Sequence, residues 1–124
     1  MDKMKLLIVD DEPLTVEMLS IFMQINGHDC ISAYNGSDGL LMAQTQQPDV
    51  MILDLMMPDM EGWQVCQTLR ATPDHAKTPV VILSARTDSE AIEQAYAAGA
   101  NIYLTKPPDL IQLLGEIERL HAGA

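Results

Sequence analysis

Positive charge is scarce in this chain. Seven Lys and Arg stand against 18 Asp and Glu, a formal net charge of −11 with neutral His. A surface that acidic repels phosphate backbones and anionic lipid, which disfavours direct nucleic-acid or membrane binding by this chain. Cysteine is scarce as well: Cys30 and Cys66 both lie in apolar settings without CxxC spacing and read as reduced core thiols, suited to a reducing compartment. No apolar stretch approaches membrane-spanning length, and the N-terminal "MDKMKLLIVDDEP" meets acids too early for a signal-peptide core. The expected setting is therefore soluble and cytoplasmic. Repeats, low-complexity tracts and linkers are also missing. What is present, 48% hydrophobic and 20% charged residues over 124 positions, is the balance of one globular domain spanning 1–124, with a core that needs no disulfide or metal staple.

Short apolar runs alternate with amphipathic stretches. "KLLIV" (Lys5–Val9), "DCISA" (Asp29–Ala33), "VMIL" (Val50–Leu53), "VVIL" (Val80–Leu83) and "NIYLT" (Asn101–Thr105) read as five strands. Between them the pattern predicts helices. The first starts near Pro13 and runs to Asn26 before Gly27, with Met18, Phe22 and Ile25 on one face. A second spans Ser37 to Gln46 with Leu40 and Ala43 inward, and a third Gly62 to Ala71, followed by "ATPDHAKTP" as a surface loop. Thr87 and Glu90 have capping-box spacing for a fourth helix, with Gly99 as its C-cap. The fifth is capped by Asp109 with Gln112 three residues on, and Leu110, Leu113, Leu114, Ile117 and Leu120 recur at helical spacing. Gly115 inside it costs about 1 kcal/mol relative to Ala, a cost that close packing there would justify.

Five βα units joined by right-handed crossovers predict an α/β fold: a doubly wound parallel sheet of five strands with helices on both faces. Such sheets bind ligands beyond the carboxyl ends of their strands. Asp10 and Asp11 follow strand one, Asp54 strand three, Ser84 strand four and Lys106 strand five, so all should share one crevice. Each alone has a structural reading, as helix-start acid, turn former or solvated lysine. Together they do not, because close carboxylates repel by about 4 kcal/mol per pair at an effective dielectric of 20. A hard divalent cation offsets this; Mg²⁺ takes one or two carboxylates and completes its shell with water and phosphoryl oxygens, while a lysine opposite holds another oxygen as a point charge. The central acid, Asp54, is the best placed nucleophile for an aspartyl-phosphate.

These residues carry a resemblance that spans the whole chain. "VDDEP" (Val9–Pro13), "DLMMPDMEG" (Asp54–Gly62), "LSA" (Leu83–Ala85) and "YLTKP" (Tyr103–Pro107), in order and each at a strand end, are similar to the receiver domain of two-component response regulators. The resemblance implies the flavodoxin-like strand order 2-1-3-4-5. It also implies that Asp54 is the phosphoacceptor, that Asp11 binds Mg²⁺ directly and Asp10 through water, and that the Met56 backbone carbonyl is a further ligand. Lys106 matches the lysine that pairs with the phosphoryl group, Ser84 the hydroxyl that swings towards it, Tyr103 the aromatic switch, and Pro107 the proline that follows a cis peptide bond.

The function expected is a phosphorylation-controlled signalling module, catalysing only its own phosphorylation and dephosphorylation. Its donor would be a sensor histidine kinase or a phosphotransfer protein. Output would pass through the face of helix four, strand five and helix five to a protein target or a fused domain, with homodimerisation through that face a further expectation. Ending at Ala124, the chain reads either as a single-domain regulator or as a fragment of a longer protein. The rival readings are weaker. A Mg²⁺-dependent phosphatase with an aspartate nucleophile usually has a second acid two residues later, where Met56 stands, and a flavin or nucleotide binder would want a Gly-rich loop in place of "DDEP". Glu12 reads as the start of helix one, although it and Arg86 border the same mouth. His28, His75 and His121 are scattered, and Met56, Met57 and Met60 have no thiol or imidazole beside them, so none suggests a soft-metal site.

Overall fold

Residues 3–123 are described by a computed structural model. Strands β1 (Lys5–Val9), β2 (Asp29–Ala33), β3 (Val50–Leu53), β4 (Val80–Ser84) and β5 (Ile102–Thr105) form one parallel sheet in the order 2-1-3-4-5. Helices α1 (Pro13–Ile25), α2 (Gly36–Gln46), α3 (Gly62–Ala71), α4 (Ser89–Ala97) and α5 (Leu110–Ala122) connect and follow them. The predicted fold is the observed one, and no helix among the described residues is long and apolar enough to cross a membrane.

Successive strand residues point to opposite faces, and the central strands divide accordingly. Leu7, Val9, Met51, Leu53, Val80 and Ile82 pack with residues of α2, α3 and α4, among them Ala43, Val65, Leu69 and Ala95. Leu6, Ile8, Val50, Ile52, Val81 and Leu83 pack on the other face with Val16, Leu19 and Met23 of α1 and with Leu113 and Ile117 of α5. Burial on both faces is why β1, β3 and β4 read as unbroken apolar runs. Cys66 lies in the first core and Cys30 is half-buried beside the second; both thiols are free, and burial pushes that of Cys30 up to about 11.

Helix α1 lies with a different face to the sheet from the one its pattern suggests. Val16, Leu19 and Met23 are buried, whereas Met18 and Ile25 are exposed and Phe22 is partly covered. The helix has two apolar stripes, of which Val16, Leu19 and Met23 meet the sheet while Leu14, Met18, Ile21 and Ile25 are left outward. In α2, Ala43 is buried and Leu40 packs at the core margin, as expected. The N-cap of α4 is Asp88, whose carboxylate accepts from the Ala91 amide at 3.1 Å, and not Thr87. A carboxylate is also the stronger partner here, since Arg86 pairs with it at 2.9 Å. Gly99 follows α4 in the left-handed region at φ 108°. The loop after α3 contains a 3₁₀ turn, Pro73–His75, held by Arg70, whose guanidinium donates to the carbonyls of His75, Thr78 and Gly99.

β5 is an edge strand, and the Tyr103 amide on its outer side donates to the Tyr96 hydroxyl of α4 at 3.1 Å. Gly115 of α5 is exposed, and an added Cβ there would meet nothing within 4 Å, so no close approach requires it. Gly115→Ala is accordingly expected to raise the free energy of unfolding by about 0.5–1 kcal/mol. Urea unfolding of the two proteins checks this, and a loss of stability would contradict the open surroundings.

Candidate functional site

The ladder continues past the strand ends and fixes the backbone of each candidate residue. The Asp10 amide donates to Ala33 O at 3.1 Å, the Asp54 amide to Val9 O at 2.9 Å, and the Lys106 amide to Ser84 O at 2.9 Å. Three side chains from three strands are thereby aimed at one point. Lys106 Nζ lies 2.8 Å from Asp10 Oδ2, 3.0 Å from Asp54 Oδ2 and 3.1 Å from Glu12 Oε1. Asp10 and Asp54 are both nearly covered, with side chains only 4% exposed. Their other oxygens are engaged as well: Asp10 Oδ1 accepts from the Glu12 amide at 2.9 Å, and Asp54 Oδ1 from the Met56 amide at 3.3 Å.

Burial raises the pKa of Asp10 and the Asp54 charge adds to this; hydrogen bonds from Lys106 and the Glu12 amide oppose it without cancelling it. For Lys106 the balance falls the other way. Burial lowers its pKa, yet the hydrogen bonds to Asp10 and Asp54 outweigh burial, so the ammonium is held more firmly than in water. The site is thus a charged cluster with one cation and three carboxylates.

Carboxylate oxygens of Asp10, Glu12 and Asp54 lie within 4.8 Å of one another, an all-oxygen donor set that fits a hard cation such as Mg²⁺. Asp11 is exposed and outside this set. Glu12, expected to begin α1 at the border of the crevice mouth, is the N-cap residue but makes no side-chain cap, and turns to Lys106 instead. The third acid of "DDEP" is the available signal. Met56 is exposed, one residue beyond Leu55 in the loop after β3. At the far end of that loop Gly62 packs so tightly that an added Cβ would stand 2.3 Å from the Asp54 carbonyl oxygen.

Ser84 is fully buried and its hydroxyl accepts from the Arg86 amide at 3.2 Å. Tyr103 is half-buried, its hydroxyl donating to Arg86 O at 2.8 Å, so both candidate switch residues are tied to the β4–α4 connection. The Lys106–Pro107 peptide bond is cis. A groove of about 350 Å³ on the α4–β5–α5 side is lined by Tyr96, Tyr103, Pro107 and Gln112 among others.

Asp59, in the same β3–α3 loop as Met56, anchors that loop to α2. Its carboxylate accepts from the Gly36 and Ser37 amides at 2.8 and 2.9 Å and from Ser37 Oγ at 2.7 Å. These bonds, the Ser37 amide first, bring its pKa down to about 2. A folded-state pKa below the unfolded value of roughly 3.9 gives stability that is complete above that value and is lost as pH falls towards 2. Asp59→Asn should therefore be less stable than the parent at pH 7, with the difference much reduced near pH 2, as read by urea unfolding at both pH values.

A family model described as the response regulator receiver domain matches residues 6–118. Protein PilH of Pseudomonas aeruginosa is 34% identical over 119 residues, covering 96% of this chain and 98% of that one. The DNA-binding dual master transcriptional regulator RpaA of Synechocystis is 37% identical over 116 residues, covering 94% of this chain and 48% of RpaA. The chain thus spans about half the length of RpaA, as it does of several other curated relatives. Among solved structures, chemotaxis protein CheY4 of Vibrio cholerae superposes with a TM-score of 0.90 at 31% identity, over 96% of this chain and 99% of that one.

The charge balance at Lys106 has a measurable consequence. Removing a buried ion partner while leaving the other charges in place costs about 3 kcal/mol or more. Lys106→Ala is expected to lose stability on that scale in chelator, and Mg²⁺ at a hundred times its Kd should return about 2.7 kcal/mol. Denaturant unfolding with and without Mg²⁺ measures both; an unchanged stability in chelator would mean that Asp10 and Asp54 are adequately solvated without the lysine.

Proposed function

The chain belongs to the response regulator receiver domain family, and from that premise we propose that it accepts a phosphoryl group on Asp54, the whole of residues 1–124 acting as one receiver domain. The observation that carries this reading is the buried Asp54 carboxylate at the end of the central strand, 3.0 Å from Lys106. A histidine kinase or a phosphotransfer protein is the proposed donor and the cytoplasm the proposed setting. Asp10, Asp11, Asp54 and the Met56 carbonyl are the proposed holders of Mg²⁺, with Asp11 turning in from the rim. Bound there, Mg²⁺ would supply neutralisation for the anionic oxygens of the transferring group.

In the transfer, an Asp54 oxygen attacks the phosphorus in line. The bond from phosphorus to the donor imidazole nitrogen breaks as the new P–O bond forms, and the imidazole leaves with the electron pair. The transition state is loose, with charge spread over three equatorial oxygens. Lys106 meets one of them as a point charge, and the rigid strand ends hold nucleophile and ammonium in register, so little reorganisation accompanies the step. Once Asp54 carries the new charge and acceptor oxygens, Ser84 turns towards them and Tyr103 moves into the space released. Both side chains are bonded to the β4–α4 connection, which supports a change that spreads to the α4–β5–α5 face. That face is the proposed contact for a protein target, an output domain or a second copy.

The protein in this reading catalyses only its own phosphorylation and dephosphorylation. A phosphatase acting on external esters is the weaker reading, because Met56 offers a thioether where a second acid would be needed to protonate a leaving group. Incubation with Mg²⁺ and a small phosphodonor such as acetyl phosphate, followed by intact-mass measurement, is expected to add one phosphoryl group to the parent and none to Asp54→Ala. Phosphorylation that persists in the variant would overturn the assignment of Asp54.

A further inference from the structure

We infer that Glu12 is a resident placeholder for the phosphoryl oxygen on Lys106, an internal competitor that must leave before the lysine can engage a phosphoryl group. The inference rests on the reading of Asp54 as phosphoacceptor. A lysine ammonium has three N–H donors. All three have carboxylate partners here, Asp10, Asp54 and Glu12, at 2.8, 3.0 and 3.1 Å. A phosphoryl oxygen can therefore reach Lys106 only in exchange for one of them.

The three partners differ in what their release costs. While a phosphoryl group approaches and Asp54 is still an anion, Asp10 and Asp54, each 4% exposed, would be left as buried, unpaired carboxylates if either gave up the lysine. Glu12 is 64% exposed and simply rotates into water. Its backbone does not depend on the contact, since Pro13 opens α1 without a side-chain cap and the Glu12 amide is held separately by Asp10. With no cap bond to hold the Glu12 carboxylate on its own helix, its partner is the lysine, 94 residues away in sequence. Glu12 thus gives a single-negative oxygen pair to the lysine when no phosphoryl group is there, and yields the same N–H when one arrives.

Beryllium trifluoride, a tetrahedral mimic of a carboxylate-bound phosphoryl group, is the probe. Its affinity in saturating Mg²⁺ is measured by calorimetry for the parent, for Glu12→Gln, and for Glu17→Gln, which removes the same charge from an exposed position of α1. Glu12→Gln is expected to bind the mimic about two- to fivefold more tightly, the worth of one exposed ion pair, and Glu17→Gln to match the parent. Equal affinity in the parent and Glu12→Gln overturns the inference, as does equal tightening in both variants, which would reflect overall charge alone. Direct Mg²⁺ titration adds a separate readout: a loss beyond about tenfold in Glu12→Gln would make Glu12 a metal ligand and overturn its role as placeholder. Should the parent neither bind the mimic nor gain phosphoryl mass, Asp54 as acceptor fails first, a result distinct from parent binding with no effect of Glu12.

Discussion

The arrangement at the carboxyl end of the sheet depends on one ammonium group. Lys106 faces three carboxylates, two of them buried, and without a cation among them those acids could not stay close together. Placing a lysine just past β5 opposite acids just past β1 and β3 makes the cluster tolerable in the folded chain, and the same charge is then offered, in the proposed reading, to a phosphoryl oxygen. Stability and chemistry draw on one interaction. That coupling explains why the ammonium is held more firmly than in water although it is partly buried.

The sheet supplies the precision. A parallel ladder leaves the last carbonyls of Val9, Ala33 and Ser84 free to accept from Asp54, Asp10 and Lys106, so each side chain departs from a backbone already bonded to its neighbour. Apolar packing on both faces keeps these strand ends from shifting. The loop after β3 is pinned twice, by Gly62 against the Asp54 carbonyl and by Asp59 at the start of α2. Ser84 and Tyr103, in contrast, are joined through Arg86 to a connection on the rim, so the parts proposed to move are attached to a largely exposed segment of the site.

Most of this was legible because it depends on order along the chain. Apolar runs buried on both faces identify strands, and the residues that follow them land at one edge, so Asp10, Asp54, Ser84 and Lys106 group together without any knowledge of geometry. Facing is harder to read. Helix α1 is apolar on two sides, and only its junction with β1 decides that Val16, Leu19 and Met23 go inward. Glu12 is easily undervalued for a related reason: sequence proximity to Pro13 favours a helix start over its place at the mouth of the crevice, whereas the side chain pairs with Lys106. Thr87 has the right spacing for a cap but loses to Asp88, which binds Arg86 as well. The turn at Pro73–His75 is organised by Arg70 from α3, and no local pattern reveals a bond formed across the fold.

The Tyr96 hydroxyl that accepts from the Tyr103 amide covers one main-chain donor on the outer edge of β5. A displacement of α4 large enough to withdraw that phenol would leave an unsatisfied main-chain donor beside the groove lined by Tyr103, Pro107 and Gln112. The seat of α4 thus governs whether that edge donor is covered or open to an extended peptide.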